Sequence, residues 1–321
     1  MKAIIQTSYG SPEALQIKDI EKPSPGKNEV LIKVMATTIN DFDWSLVTGK
    51  PHLYRLLFGL FKPKKPTPGI ELAGIVEALG AEVKNLHIGD RVYADISEAG
   101  WGSFAEYISV NESTLSLIPE HMSFAEAASI PHAAMLAYQG LVDVANIRKN
   151  QKVLVNGAGG GMGSFAVQIA KLYNAEVTGV DSRRKFDMMR SIGYDHLIDY
   201  RQTDFTKTGD KYDLIIDAKS TRGPAAYARA LKPNGNYVTV GGHLNRLIQL
   251  AIASKTTRKN MHVLALKPNK DLNKISEMYA KGQLKTQIDG PYDFDEIPRL
   301  ISYFGKGEHL GKIVITVNNE K

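Results

Sequence analysis

Val153-Leu154-Val155-Asn156-Gly157-Ala158-Gly159-Gly160-Gly161-Met162-Gly163 carries the strongest structural signal in the chain. Three aliphatic residues read as a short buried strand. The strand runs into glycines, and an amphipathic helix follows at once, with Phe165, Ile169 and Tyr173 beside Ala166 and Ala170 on one face. Residues without side chains let a backbone turn sharply and approach a ligand closely. The unpaired N–H groups of a helix start then favour an anion. The spacing over 158–163 is A-x-G-G-x-G rather than G-x-G-x-x-G. The strand–loop–helix context is the required one, and a second strand at 176–180 ends in Asp181, about 20 residues on, where a dinucleotide fingerprint has its acid. Gly157, Ala158, Gly160, Gly161, Met162 and Gly163 are therefore the expected pyrophosphate cradle.

Downstream, strand-like runs at 196–198, 214–217, 237–240 and 262–266 alternate with helix-compatible segments. That alternation predicts a parallel sheet covered on both faces. Upstream, residues 1–115 are β-rich, with short apolar runs at 3–6, 30–34, 69–78 and 91–94 separated by glycine and proline turns. Tight turns between short strands predict a closed or strongly bent sheet. Ser123-Phe124-Ala125-Glu126 is a capping box that opens an alanine-rich helix. Pro131 is expected to break or redirect it. The chain closes with helices at 272–282 and 294–303 and a strand at 312–317. No flexible linker separates the parts, so a shared interface is expected.

The 321 residues amount to about two domains at roughly 150 residues each. A hydrophobic fraction of 43% excludes disorder as the main state. No apolar run approaches the ~18 residues of a membrane span, and the opening MKAIIQTSYG lacks a signal pattern. A cytoplasmic protein is expected. There is no cysteine, which excludes disulfides, thiolate zinc sites, iron–sulfur ligation and a cysteine nucleophile. The net charge of +6 is mostly scattered, with basic clusters at 62–65, 183–185 and 255–259. A solvated basic surface or a local phosphate site accounts for this, and no nucleic-acid partner is expected.

The glycine loop and its helix, GAGGGMGSFAVQIAK over 157–171, resemble the medium-chain dehydrogenase/reductase superfamily, nearest its zinc-independent quinone oxidoreductase (zeta-crystallin-like) branch. The resemblance extends over nearly the whole chain. Pro68-Gly69-Ile70-Glu71-Leu72-Ala73-Gly74 is similar to the branch's P-G-x-D-x-x-G. Gly89-Asp90-Arg91-Val92, GWGSFAEY over 100–107, and the stretches 128–138, 193–200 and 231–235 match as well. The implied fold is α/β: a GroES-like partly closed β-barrel catalytic domain (1–120 and 268–321) interrupted by a Rossmann doubly wound parallel-sheet cofactor domain (121–267).

The resemblance implies NAD(P)H. Asp181 at a strand end accepts hydrogen bonds from an adenosine ribose and repels a 2′-phosphate, which favours NADH. Arg183, Arg184 and Lys185 follow at once and suit a phosphate. Lys185 and Tyr200 match positions near the 2′-phosphate in quinone oxidoreductases, although a lysine matching Lys185 touches the ribose in NAD-dependent relatives. NADP(H) is slightly favoured, with NAD(H) open. Ser182 and Gly241 complete the expected cofactor contacts.

Zinc-dependent relatives converge three ligands beside the nicotinamide. The matching residues are Asn40, Ile70 and His132, of which only histidine is a good zinc ligand, so no metal is expected. Without a Lewis acid, reduction of an electron-poor acceptor is easier than alcohol oxidation. Asn40-Asp41-Phe42-Asp43-Trp44 resembles the branch's N-P-x-D-W, which makes Asn40 a candidate donor to the acceptor oxygen or the nicotinamide ribose. His132 stands where the branch usually has a small apolar residue. It is the candidate proton donor, with a packed structural histidine as the other reading. Leu136 replaces a threonine that contacts the cofactor. Asp43, Trp44 and Tyr54 are the expected substrate pocket, and Asp43 also reads as a helix cap. Tyr54-Arg55-Leu56-Leu57-Phe58-Gly59-Leu60-Phe61 reads as an apolar lid, a helix packed on the barrel, or a membrane-surface contact between lysines. A second candidate wall is 243–254, with Leu247, Leu250 and Ala251 on one helical face. The expected activity is an NAD(P)H-dependent reduction of quinones or α,β-unsaturated carbonyls by a homodimer. The alternative is a cofactor-binding redox sensor or a structural crystallin-like protein.

Overall fold

The computed structural model describes residues 1–241, 248–250, 252–253 and 260–318, with the side chains of Tyr54 and Leu57 outside that description. The chain divides into two compact units, Met1–His132 with Pro268–Ser276 and Ile288–Lys321, and Ala133–Lys267 with Glu277–Gln287.

The first unit opens with an antiparallel pair, β1 (Lys2–Ile5) and β2 (Gln16–Asp19). Its organising strand is β3 (Glu29–Thr38), buried along most of its length. Then come α1 (Asp41–Thr48), α2 (Tyr54–Phe58), β4 (Glu71–Leu79), β5 (Arg91–Asp95), β6 (Tyr107–Asn111), β7 (Ser116–Leu117), α3 (Phe124–Ser129) and the start of α4 (Pro131–Tyr138). The capping box forms as the sequence predicts, with Ser123 N–H on Glu126 and Glu126 N–H on Ser123 Oγ. Pro131 starts the next helix, where a missing N–H goes unmissed.

The second unit alternates β8 (Lys152–Asn156), α5 (Gly161–Lys171), β9 (Glu176–Asp181), α6 (Phe186–Ser191), β10 (His196–Asp199), β11 (Tyr212–Asp217), α7 (Pro224–Ala230), β12 (Leu231–Thr239) and β13 (Asn260–Val263). All pairings are parallel, in the order β10-β9-β8-β11-β12-β13. This is the doubly wound order of dinucleotide-binding sheets, with β8 and β11 flanking the point where strand order reverses. Phe165, Ala166, Ile169 and Ala170 bury one face of α5, as their spacing predicts. Phe205, Tyr227, Tyr237 and Leu250 build the core on the sheet, with the Tyr227 and Tyr237 rings 4.3 Å apart. β12 begins six residues before the expected 237, because Leu231 already pairs with Tyr212 ahead of a bulge. The remainder of the expected wall, Leu247 and Ala251 included, and the basic cluster 255–259 lie outside the described residues.

The chain then supplies α8 (Leu272–Ala280), β14 (Ile288–Asp293), α9 (Ile297–Gly305) and β15 (Lys312–Thr316). β15 enters the first unit's sheet between β14 and β3, giving the order β14-β15-β3-β4-β5-β7 with β6 also on β3. Register shifts between β3 and β4 at Leu31/Ile32 and Val34/Ala36 bend the sheet. The bend lets Val30, Ile32 and Val34 pack against Leu72, Val76 and Val92. α9 covers the β15 side with Ile297, Leu300 and Ile301 on Ile313 and Ile315.

Candidate active site

In the second unit, β8 stops at Asn156, whose amide donates to Asp217 Oδ1 at 2.8 Å. Gly157 turns the chain with φ of +89°, a conformation that disfavours any side chain. A Cβ on Gly163 would lie 2.5 Å from the carbonyl oxygens of Gly157 and Ala158, so only glycine lets α5 start this close to the loop. Tyr194 locks the arrangement from below, its hydroxyl donating to Gly163 O at 2.8 Å. Ala158 and Met162 are buried, so they offer backbone rather than side chain. Within the loop, Gly157, Ala158 and Gly160 donate to carbonyls and Gly159 to Asp181. The N–H groups of Gly161, Met162 and Gly163 have no partner among the described residues. Three free donors at the N-terminus of an eleven-residue helix are a fitting cradle for a pyrophosphate. Gly163→Ala is expected to lower stability by about 1–3 kcal/mol, read by thermal unfolding, together with a loss of NADPH affinity in fluorescence titration. Unchanged affinity would sink this assignment of the loop.

Asp181 differs from its expected role. One carboxylate oxygen accepts from Gly159 N at 2.9 Å, the other from Ser182 N at 2.8 Å. Lys185 Nζ lies 3.5 Å from the same group. Both side chains are buried, and the stem of Lys185 lies against Gly159. Burial lowers the lysine's pKa, an effect the Asp181 charge opposes. Lys185 thus serves Asp181 rather than standing open to a phosphate, which corrects the sequence expectation. Arg183 and Arg184 are exposed on the turn after Ser182, and Tyr200 is exposed at the neighbouring strand end, its N–H on Asp181 O. Ser182 is buried. Gly241 accepts from Ser220 Oγ at 2.6 Å beyond the end of β12.

In the first unit, Asn40 caps α1, and its N–H donates to Asp43 Oδ2 at 2.9 Å. Asp43 is fully buried, and its Oδ1 has no partner among the described residues. Burial pushes its pKa up to about 7, against the Asn40 hydrogen bond and the Lys312 charge. Asp43 therefore serves the helix start, not a pocket wall. Trp44 packs half-buried in the α9 cluster, another departure from the expected pocket. Tyr54 opens α2, and its side chain lies outside the description.

The side chain of Asn40 faces a charged cluster. Its Nδ2 donates to Glu71 Oε2 at 2.8 Å and, more weakly, toward Thr38 Oγ1 at 3.4 Å. Its Oδ1 accepts from Lys312 Nζ. Lys312 also lies 2.5 Å from Glu71 Oε2, which accepts from Thr38 Oγ1 as well. Both N–H bonds of the amide are directed inward, so Asn40 in this arrangement does not donate to an acceptor. Glu71 Oε1 accepts the main-chain N–H of His132 at 2.6 Å. The His132 ring is held in turn, with Nδ1 2.7 Å from Asp95 Oδ2. Asp95 is buried at the end of β5. Its other oxygen accepts from Ser97 N, and its main chain is clasped by the Asn269 amide. Burial disfavours the imidazolium, but the Asp95 carboxylate outweighs it and the His132 pKa is raised. Asp95 itself is lowered: burial works against its charge, and the His132 charge and the hydrogen bonds from His132 and Ser97 prevail.

Nε2 of His132 has no partner among the described residues. Ile70, the third position matching a zinc ligand, is fully buried and apolar. Among the described residues, no group of three His, Asp or Glu is placed to hold a metal. Sequence reasoning singled out Asn40 and His132 but missed Thr38, Glu71, Asp95 and Lys312. The signal was present: an acid inside the apolar run of β4 and a lysine opening the apolar run of β15 must find each other if both are buried.

Two family models match, an alcohol dehydrogenase GroES-like domain over residues 26–120 and a zinc-binding dehydrogenase domain over 192–315. The chain is 32% identical to the 2-methylene-furan-3-one reductase of Solanum lycopersicum, covering 98% of this chain and 79% of that one. It belongs to the medium-chain dehydrogenase/reductase superfamily, among the quinone oxidoreductases and enone reductases. It is 31% identical, over the same shares, to the NADPH-dependent alkenal/one oxidoreductase, chloroplastic, of Arabidopsis thaliana. The quinone oxidoreductase structure from Coxiella burnetii superposes with a TM-score of 0.88 at 26% identity, covering 99% of both chains. This member of the superfamily is an oxidoreductase of α/β fold, with a GroES-like sheet-rich part and a Rossmann parallel sheet. No described helix is long and apolar enough to cross a membrane.

Proposed function

We propose that this protein is an NADPH-dependent, zinc-independent reductase of quinones or α,β-unsaturated carbonyls. The observation that carries the metal-free reading is Lys312, whose ammonium lies on Glu71 and Asn40, the donors a divalent cation would use. A second cation there would be repelled, and Asn40 and Ile70 are poor ligands in any case. The residues do not fit zinc.

The residues do fit a dinucleotide. The free N–H groups of 161–163 hold the pyrophosphate, and the nicotinamide supplies hydride when bound. Asp181 is already occupied by two N–H groups and Lys185, so its charge is withdrawn from a 2′-phosphate. Arg183 and Arg184 are exposed beside it and bind that phosphate, which favours NADPH. His132 donates a proton from Nε2 to the reduced acceptor, oriented by Asp95. Asn40 acts as a positioning residue within the Glu71 cluster. The reading includes a cytoplasmic homodimer, checked by sedimentation.

The test is oxidation of NADPH with a quinone, a 2-alkenal and a simple ketone, with and without chelator. Turnover of quinone or alkenal unaffected by chelator is expected. Chelator-sensitive reduction restricted to the simple ketone, or no turnover with any acceptor, would overturn the reading. In the same assay Arg183→Ala with Arg184→Ala is expected to raise the KM for NADPH by about tenfold or more, each charge-assisted contact being worth about 1.5–3 kcal/mol, while the KM for NADH stays put.

A further inference from the structure

The segment between Asp43 and Glu71 contains no acidic residue and five cations, Lys50, Arg55, Lys62, Lys64 and Lys65. Its inner side is fixed to the first unit. Phe58 packs edge-on against Phe42 and Trp101 at 5.2 and 5.4 Å. The Tyr9 hydroxyl donates to Gly59 O, and Arg55 donates to Gly49 O while lying over the Tyr9 ring. Four other large apolar side chains of the segment stand outward. Phe61 is 87% exposed and Leu56 63%, with Leu53 and Leu60 exposed beside them. Lys50, Lys62 and Lys64 are exposed and make no ion pair among the described residues. Exposed apolar side chains flanked in sequence by lysines without an ion pair among the described residues are suited to a surface that is apolar inside and anionic at its edge.

We propose that the Leu53–Phe61 face with Lys50, Lys62 and Lys64 docks this protein on an anionic lipid surface. Charge selects this occupant. Two copies of the same face would bring like charges together, whereas anionic headgroups complement the lysines while Phe61 and Leu56 enter the interfacial layer. The docking is peripheral, and it depends on neither the cofactor nor the acceptor.

The test is co-sedimentation of the full chain with vesicles of phosphatidylcholine, alone and mixed with phosphatidylglycerol. Binding to the mixed vesicles that weakens as salt is raised is expected, with little binding to phosphatidylcholine alone. Lys50→Gln, Lys62→Gln and Lys64→Gln are each expected to weaken binding about fivefold, the equivalent of about 1 kcal/mol per charge. Leu56→Ser with Phe61→Ser is expected to abolish sedimentation with an unchanged melting temperature, because neither side chain is packed in the fold. Absence of binding to the mixed vesicles overturns the proposal, as does binding that survives both sets of substitutions. Dissociation of a dimer by Leu56→Ser with Phe61→Ser, without vesicle binding by the parent, assigns the face to a second copy and overturns it equally.

Discussion

Lys312→Met is expected to destabilise the protein by about 3–5 kcal/mol, because it leaves Glu71 buried with its negative charge uncompensated. Whole-domain stability is about 5–15 kcal/mol, so this one change removes a large share of it. The loss spreads beyond the pair. Asn40 Oδ1 loses its donor, and Asp43, already held near a pKa of about 7 by burial, loses a cation that lowered it. Adding Glu71→Gln removes the orphaned charge while keeping an acceptor for the His132 N–H, so the double variant should recover most of the deficit. Urea denaturation of the parent, both single variants and the double gives the coupling directly, expected in the upper part of the usual range of about 0.5–3 kcal/mol or beyond it. Additive losses would show that Lys312 and Glu71 do not act as a pair.

The second large effect concerns proton delivery. His132→Gln is expected to lower kcat for a 2-alkenal by about a hundredfold, the scale of general acid catalysis, with NADPH affinity unchanged. The acid form of His132 is the working form, so activity is present below its pKa and falls as pH rises through it. The pKa is raised, which puts the alkaline limb above the ordinary imidazole range. Asp95→Asn removes the charge that raises it and leaves burial, the largest single influence, to lower it. The limb should then move to acid pH, a shift a merely structural Asp95 would not produce. Stability follows the same sign: a histidine with raised folded pKa stabilises below its unfolded value, and the gain is lost as pH climbs through the folded one. The Asp95→Asn variant should show a flatter stability profile over that window. An identical pH–rate profile in His132→Gln would remove His132 from the chemistry.

The second unit was the more legible of the two in sequence. Its central strands β8, β9 and β11 are buried on both faces and read as short aliphatic runs, and glycine at Gly157 and Gly163 is dictated by local backbone geometry that spacing reveals. The strand–loop–helix form of that stretch was read correctly for that reason. The role of Lys185 was not, since the choice between facing a ligand and folding back on Asp181 depends on how α6 begins, not on the run of three cations. In the first unit the strands and the α3 capping box were visible, but the Glu71 cluster was not. Its members come from β3, the start of α1, β4, β15 and α4, and no local pattern links a lysine at 312 to an acid at 71. Asn40 drew attention for its type, and the saturation of its amide appears only when those elements are assembled.

The place of β15 in the sheet has a consequence for biosynthesis. β3, β4 and β5 leave the ribosome early, yet the strand that belongs beside β3, and the cation that neutralises Glu71, are translated some two hundred and forty positions later. Between those moments the nascent first unit has an open edge at residues 36–38 of β3, beyond the stretch that β6 covers, and a carboxylate without its counterion. The second unit's strands all lie within that interval and can pair as they emerge. Synthesis thus favours completion of the parallel sheet first, and Lys312 becomes the late step that commits the N-terminal half to its final structure.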